Sequence, residues 1–341
     1  MADERREALV RVLVTSLLAS PVITDHHNHI GHHNHTGHHK EPSLEYVCQL
    51  PAFCSFATQL QSQATAALQV DVGVLTSRQW NVSRECPGTF AIVPDAEFFD
   101  ITERMYSDDN KQYSDQCHLC DRKTARILVI KWFAVRLLQY NLIVLLDLDI
   151  DFMSQNVTSW IRPLLTFHAS DAQIAGPSDW AVPINTGSIV FKPNMTTYQR
   201  GLSLLQTGLF NTTHGLGHVG PPRTLRNDTF VGRFTINRFY RSNTWSVASG
   251  SSDQGLFSLL YHTWACSGGV AGRYIPKAHG LPAYTVAVKH FWASAKPMYK
   301  RGCKRWVANL SIPADSVCNA TISKWLHMAG HQCSHKKLYI M

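Results

Sequence analysis

The sequence predicts an α/β protein with a mostly parallel, mixed central sheet flanked by helices. Three observations predict it. The chain has 341 residues, 45% of them hydrophobic and 16% charged. That composition is globular, and the length suits one large α/β domain with a tail, or two small domains. Residues 141–153 read NLIVLLDLDIDFM, and an apolar run of that length reads as a buried, parallel strand. Directly before it, residues 124–140 (TARILVIKWFAVRLLQY) contain neither proline nor glycine. Helix followed at once by strand is the packing unit of a parallel sheet.

The elements follow in chain order. Residues 9–23 form a short apolar run behind a charged start, interrupted by Arg11. It is shorter than the roughly 20 residues of a membrane span. It is expected as a signal-peptide core or a weak anchor, with an amphipathic helix as the other reading. Residues 25–40 hold eight histidines. A low-complexity linker is expected there, and metal capture or a pH-sensitive stem is the alternative. These 40 residues are set apart from a domain spanning residues 41–302, and residues 303–341 form a Cys- and His-containing tail.

Within the domain, residues 51–58 (PAFCSFAT) and 70–77 (VDVGVLTS) read as strands, with residues 58–68 between them as a short helix. Residues 90–95 read as a third, shorter strand, and residues 100–123 are polar and loop-like. Lys131, Arg126 and Arg136 fall on different sides of the helical wheel of residues 124–140, so most of that helix is expected to be buried. Residues 173–176 and 183–191 read as strands. The glycine inside the second marks close backbone approach. Pro193 opens a helix running to about residue 206. Residues 207–250 read as irregular, residues 252–262 as the start of a helix, and residues 284–289 as a strand ending at His290.

Side chains alternate along a strand, so Asp147 and Asp149 point the same way. Carboxylates stacked at a strand end repel unless a cation sits between them, and ligands of open α/β sheets bind at that end. The other polar residues that interrupt apolar elements are Lys131, Asn185, Thr186, Asp253, Gln254, His290 and Lys296. Each has a plain explanation. A lysine can snorkel, an aspartate can complement a helix dipole, and a histidine can sit satisfied in a core. Together they suit one task. Two carboxylates and an imidazole hold Mn2+ or Mg2+, and the histidine tilts the set towards Mn2+. Lysines neutralise a diphosphate, while amide and hydroxyl groups grip sugar hydroxyls.

The formal charge is +8 and the pI about 9.0, which favours anionic partners. The basic cluster Lys296, Lys300, Arg301, Lys304 and Arg305 comes without a nucleic-acid-binding motif, so no nucleic-acid partner is expected. Nine cysteines include Cys117-His-Leu-Cys120, but no second such pair follows it, so a zinc site is not expected. Asn-x-Ser/Thr occurs at eight of the fourteen asparagines, against about two by chance, and such sites belong on secreted chains. The excess points to the lumen of the secretory pathway (Golgi or ER) or to secretion, where disulfides form.

Five ordered segments then carry a resemblance. They are Lys131 with Tyr140; LLDLD at residues 145–149; Asn185-Thr-Gly with VFKP; Asp253-Gln-Gly-Leu; and His290-Phe with Lys296-Pro. Covering roughly residues 50–300, the set resembles the glycogenin-like retaining glycosyltransferases, family eight, of GT-A fold. The resemblance implies that Asp147, Asp149 and His290 ligate Mn2+, or Mg2+ in its place. It implies that Lys131 and Lys296 contact the diphosphate region. Asn185, Thr186, Gly187 and Ala293, which stands where the family has a glycine, line the donor site, with Asp253 and Gln254 beside the reacting sugar. It further implies hexosyl transfer, with retention, from a nucleotide-sugar, usually a UDP-sugar, to a glycan or glycoprotein acceptor.

Two rival readings follow from particular residues. Gly250 replaces an acidic residue of the family, and the first strand–helix unit reads as short. Both would suit a protein that binds a sugar nucleotide without turning it over. The histidine tract would suit a secreted metal-binding protein, with weak membrane association through the N-terminus as a further expectation.

Overall fold

The computed structural model describes residues 9–18, 50–76, 82–104, 129–148, 157–176, 184–207, 210–211, 215–216, 253–263 and 273–275. Among the described residues the strands are β1 (Val10–Leu18), β2 (Leu68–Thr76), β3 (Phe90–Ile92), β4 (Leu142–Leu146), β5 (Ala172–Ala175), β6 (Ser188–Phe191), β7 (Phe210–Asn211), β8 (Gly215–Leu216) and β9 (Arg273–Ile275). The helices are α1 (Leu50–Ser62), α2 (Val82–Glu85), α3 (Ala96–Arg104), α4 (Thr158–Ala169), α5 (Met195–Thr207) and α6 (Asp253–Phe257). A 3-10 helix spans Ile130–Arg136, and a π-helical turn, Ser258–Thr263, continues α6.

Seven strands make one sheet in the order β3-β2-β1-β4-β6-β5-β9, and β7 and β8 form a separate hairpin. β1, β2, β3 and β4 run parallel, and β6 is antiparallel to both β4 and β5. The sheet is therefore mixed and mostly parallel, as the sequence predicts. The reversal of β6 has a functional consequence. Ser188, at its start, pairs with Leu146, at the end of β4. The residues leading into β6 are thus delivered to the edge where the parallel strands finish.

Each face of the sheet carries its own core, as strands buried on both sides require. Val12 and Val14 of β1, Val70 and Val72 of β2 and Val144 of β4 face α1 and α4, where Phe56 and Trp160 meet edge to face with ring centroids 5.2 Å apart. Leu13, Ile143 and Leu145 face the other way, towards the 3-10 helix, α5 and α6. Trp132 and Phe257 close that side, with ring centroids 4.8 Å apart. Gly201 of α5 is required there, because a Cβ would lie 2.2 Å from the Trp132 indole.

Several expectations are corrected. Val10–Leu18, expected ahead of the domain as signal-peptide core or anchor, is a central strand between β2 and β4. Its valines are buried, and its one charge, Arg11, pairs with Asp71 at 3.1 Å near the start of the strand. An apolar run behind a charged start looks the same in a leader and in a buried parallel strand. No helix among the described residues is long and apolar enough to cross a membrane. The first strand of the sheet is therefore β1, ahead of the residues 51–77 read as the first strand–helix unit.

Residues 51–58 are helical and not extended. Leu50, Phe53, Cys54, Ala57 and Leu60 are buried while Ser55, Thr58 and Gln59 are exposed, which is the period of a helix. The stretch expected as one helix through residues 124–140 is a 3-10 helix where it is described, ending at Arg136. Its stiff β-branched and aromatic residues fill fixed pockets, and tertiary packing sets the local winding. The sequence also conceals α4, which carries Pro163 inside it and buries it with Trp160, Leu164 and Phe167.

Cys54 and Cys86 form a disulfide that ties α1 to the chain just after α2. Closing a loop of that length stabilises by roughly 4 kcal/mol in the chain-entropy picture. Asn194, one of the expected glycosylation sites, accepts the Thr197 N–H at 2.9 Å as the N-cap of α5.

Candidate functional site

The site forms where β1, β2 and β4 end. Leu18 pairs with Thr76 and Ser16 with Leu146, so these ends share one edge. Asp147 follows β4 and has the same parity as Ile143 and Leu145. Its side chain therefore belongs on the face covered by the 3-10 helix and α6. That helix presents Lys131, which is 1% exposed. The Lys131 ammonium lies 2.6 Å from Asp147 Oδ1 and 3.1 Å from Asp253 Oδ2. One buried cation thus joins the end of the central strand to the start of α6.

The Asn185-Thr186-Gly187 turn completes the group from the reversed strand. The Thr186 hydroxyl donates to Asp253 Oδ2, so that oxygen is held by both Lys131 and Thr186. Asn185 Oδ1 accepts the Gly187 N–H at 2.8 Å, and the Asp147 N–H donates to the Gly187 carbonyl at 2.8 Å. Asn185, Thr186 and Asp253 are all buried. Gln254, next in sequence, is half-buried, and its Oε1 has no hydrogen-bond partner among the described residues.

The electrostatics follow from burial and pairing. Burial alone would pull the Lys131 ammonium down, but Asp147 and Asp253 more than offset it and hold its pKa above the ordinary lysine range. The lysine is therefore a fixed positive charge at neutral pH. Asp253 is enclosed, with a side chain 3% exposed, whereas the Asp147 side chain is 27% exposed. Asp147 therefore offers a hard carboxylate to the solvent side of the edge, the donor chemistry that Mn2+ and Mg2+ favour.

Of the residues singled out by sequence, Lys131, Asp147, Asn185, Thr186, Gly187, Asp253 and Gln254 come together at this one edge. Asp149, His290, Ala293 and Lys296 lie outside the described residues, as do the histidine tract, the Cys117-Cys120 pair and the C-terminal tail. Among the described residues, no group of three His, Cys, Asp or Glu side chains is placed to hold a metal ion. Asp147 is the described member of the expected metal set. Lys131, expected against the diphosphate, commits its charge to two carboxylates.

The sequence reading passes over Thr15 and Ser16 of β1 and Thr76 of β2, which are fully or almost fully buried at the same edge. The hydroxyls of Thr15 and Ser16 have no hydrogen-bond partner among the described residues. The signal that finds Asp147, polar groups where an apolar strand ends, is present in them too.

No protein-family model matches the chain, and no curated protein matches it by sequence. Among solved structures it is similar to the galactosyltransferase LgtC in complex with donor and acceptor sugar analogs, with 11% identity over 94% of this chain and 96% of that one, and a TM-score of 0.38. It is also similar to an active-site mutant of LgtC, with 10% identity, the same coverage and a TM-score of 0.35. Mouse xyloside xylosyltransferase 1 shares 13% identity over 58% of this chain and 74% of that one, with a TM-score of 0.32. The functional reading below rests on the residues at the sheet edge.

Proposed function

We propose that the chain is a GT-A-type glycosyltransferase, moving a hexosyl group from a nucleotide-sugar, UDP-hexose, to a glycan or glycoprotein acceptor. The observation that carries this reading is the Lys131–Asp147–Asp253–Thr186 cluster at the strand-end edge, joined to Asn185 and Gly187 by the reversal of β6. Strand ends of open α/β sheets are where ligands bind, and an edge with two carboxylates to one lysine suits a ligand that comes with a divalent cation.

In this reading Asp147, with Asp149 and His290, holds Mn2+ or Mg2+, which when bound stabilises negative charge on a departing diphosphate. Lys296 lies against that diphosphate. Lys131 acts one step back, fixing the orientation of Asp147 and Asp253. Asn185, Thr186, Gly187 and Ala293 line the hexosyl group. Asp253 and Gln254 stand beside the anomeric carbon, and the unpartnered Gln254 Oε1 is offered to it. The anomeric C–O bond to the diphosphate breaks. A new C–O bond to the acceptor oxygen forms with the same configuration, and the proton of the acceptor hydroxyl passes to the departing diphosphate. We place the protein in the secretory lumen or outside the cell. The density of glycosylation sequons and the Cys54–Cys86 disulfide support that placement.

The test is UDP release and product formation from a panel of UDP-sugars and glycan acceptors, with and without Mn2+. The expected result is one preferred donor, a product of retained anomeric configuration by proton NMR, and loss of turnover in Asp149→Ala. Turnover that survives Asp149→Ala, or persists in chelator, would refute the metal assignment.

A further inference from the structure

The turn that lines the proposed hexosyl site is braced within itself by Asn185 and tied to the rest of the fold from outside. Three hydrogen bonds among the described residues are among those that anchor residues 184–187. The Thr186 hydroxyl donates to Asp253, the Gly187 carbonyl accepts the Asp147 N–H at 2.8 Å, and the buried Ile184 N–H donates to Ser258 Oγ at 3.2 Å. Ser258 is 1% exposed, five positions beyond Asp253, and opens the π-helical turn that follows α6. Two of these anchors come from one short helical segment. A π turn widens the helix and is often found beside functional sites. Without the serine oxygen, the Ile184 N–H would be buried with no acceptor, a costly state that the turn would relieve by shifting.

We propose that Ser258 is a positioning residue of the donor site. It fixes the entry to the Asn185-Thr186-Gly187 turn and so sets recognition of the hexosyl group, leaving recognition of the nucleotide to other residues. This rests on the transferase reading, and it adds a residue that makes no contact with the substrate itself. Loss of the anchor would act on the sugar. A merely structural role would instead lower the amount of folded protein, reducing turnover while leaving the affinities of the folded fraction unchanged.

The experiment compares wild type, Ser258→Ala and Ser258→Cys, the last keeping a weaker acceptor at similar volume. Binding of UDP and of UDP-hexose is measured by calorimetry in Mn2+, and amide exchange is followed by mass spectrometry across residues 184–187. In Ser258→Ala the dissociation constant for UDP-hexose should rise about tenfold, the loss expected for one buried hydrogen bond, while that for UDP stays within about twofold. Exchange across the turn should accelerate, and Ser258→Cys should fall between the two. Equal weakening of UDP and UDP-hexose, or unchanged exchange across residues 184–187, would overturn the role of Ser258. If the wild-type chain bound neither ligand, the transferase reading would fall and this proposal with it. Wild-type binding of both, unaltered in Ser258→Ala, would overturn this proposal alone.

Discussion

Replacing Lys131 by methionine removes the cation on which the site is built and keeps most of its volume. The ammonium sits 2.6 Å from Asp147 Oδ1 and 3.1 Å from Asp253 Oδ2, and is itself almost fully enclosed. Removing one partner from a buried ion pair costs about 3–5 kcal/mol, because the other charge stays buried without compensation. Here Asp253 keeps the Thr186 hydroxyl, and Asp147, with a side chain 27% exposed, reaches water. Both features pull the expected cost towards about 3 kcal/mol, or a fall in melting temperature of roughly 4 °C for a chain of this length. The two carboxylates outweigh burial and leave the lysine pKa raised above its ordinary value. A raised folded pKa gives stability that is fully present below the unfolded value and lost only as pH climbs through the folded one. The deficit of Lys131→Met should therefore be flat from about pH 6 to 9. The assay is urea denaturation of Lys131→Met, Asp253→Asn and the double variant. The double variant should be more stable than Lys131→Met alone, since asparagine removes the enclosed charge and Asp147 reaches water. Additivity within about 0.5 kcal/mol would refute the reasoning.

Three further outcomes follow from the same geometry. Thr186→Val removes the hydroxyl that donates to Asp253, and should cost about 2 kcal/mol by denaturation, with Thr186→Ser recovering most of it. Gly201→Ala places a Cβ 2.2 Å from the Trp132 indole, so the 3-10 helix carrying Lys131 must move. The expected cost is about 3 kcal/mol, with a shift in tryptophan fluorescence. Tyr140 lies at the opposite edge, where burial, and then the charge and hydrogen bond of Asp71, push its phenol up to about 12 against the partial offset of Arg11. Because the folded pKa is raised, stability should fall as pH rises from about 10 to about 12, by on the order of 2 kcal/mol for this residue. Denaturation midpoints at pH 9 and 11 should differ less in Tyr140→Phe than in wild type.

Much of the site was legible because its chemistry interrupts apolar periodicity. Lys131, Asp147, Asn185, Thr186 and Asp253 each break an element that should be buried, and the fold gathers them at one edge. The mostly parallel sheet was legible in the run of β4 and in the helix-like stretch before it. What escaped did so for identifiable reasons. β1 carries no alternation because both of its faces are buried, and its charged approach imitates a leader. α1 is a short apolar run whose helical period competes with a strand reading over its first eight residues. Ser258 was beyond reach, since a serine inside a helix is ordinary. Its importance comes from the Ile184 N–H, 74 positions away in sequence.

The most direct measurement of the central claim is calorimetric titration of the purified chain with UDP, with and without Mn2+, beside Asp147→Asn. If the strand-end edge is a metal-assisted nucleotide-sugar site, UDP should bind at least about tenfold more tightly with Mn2+, and Asp147→Asn should abolish that difference. Absence of UDP binding, or binding that is independent of Mn2+ and unchanged in Asp147→Asn, would contradict it.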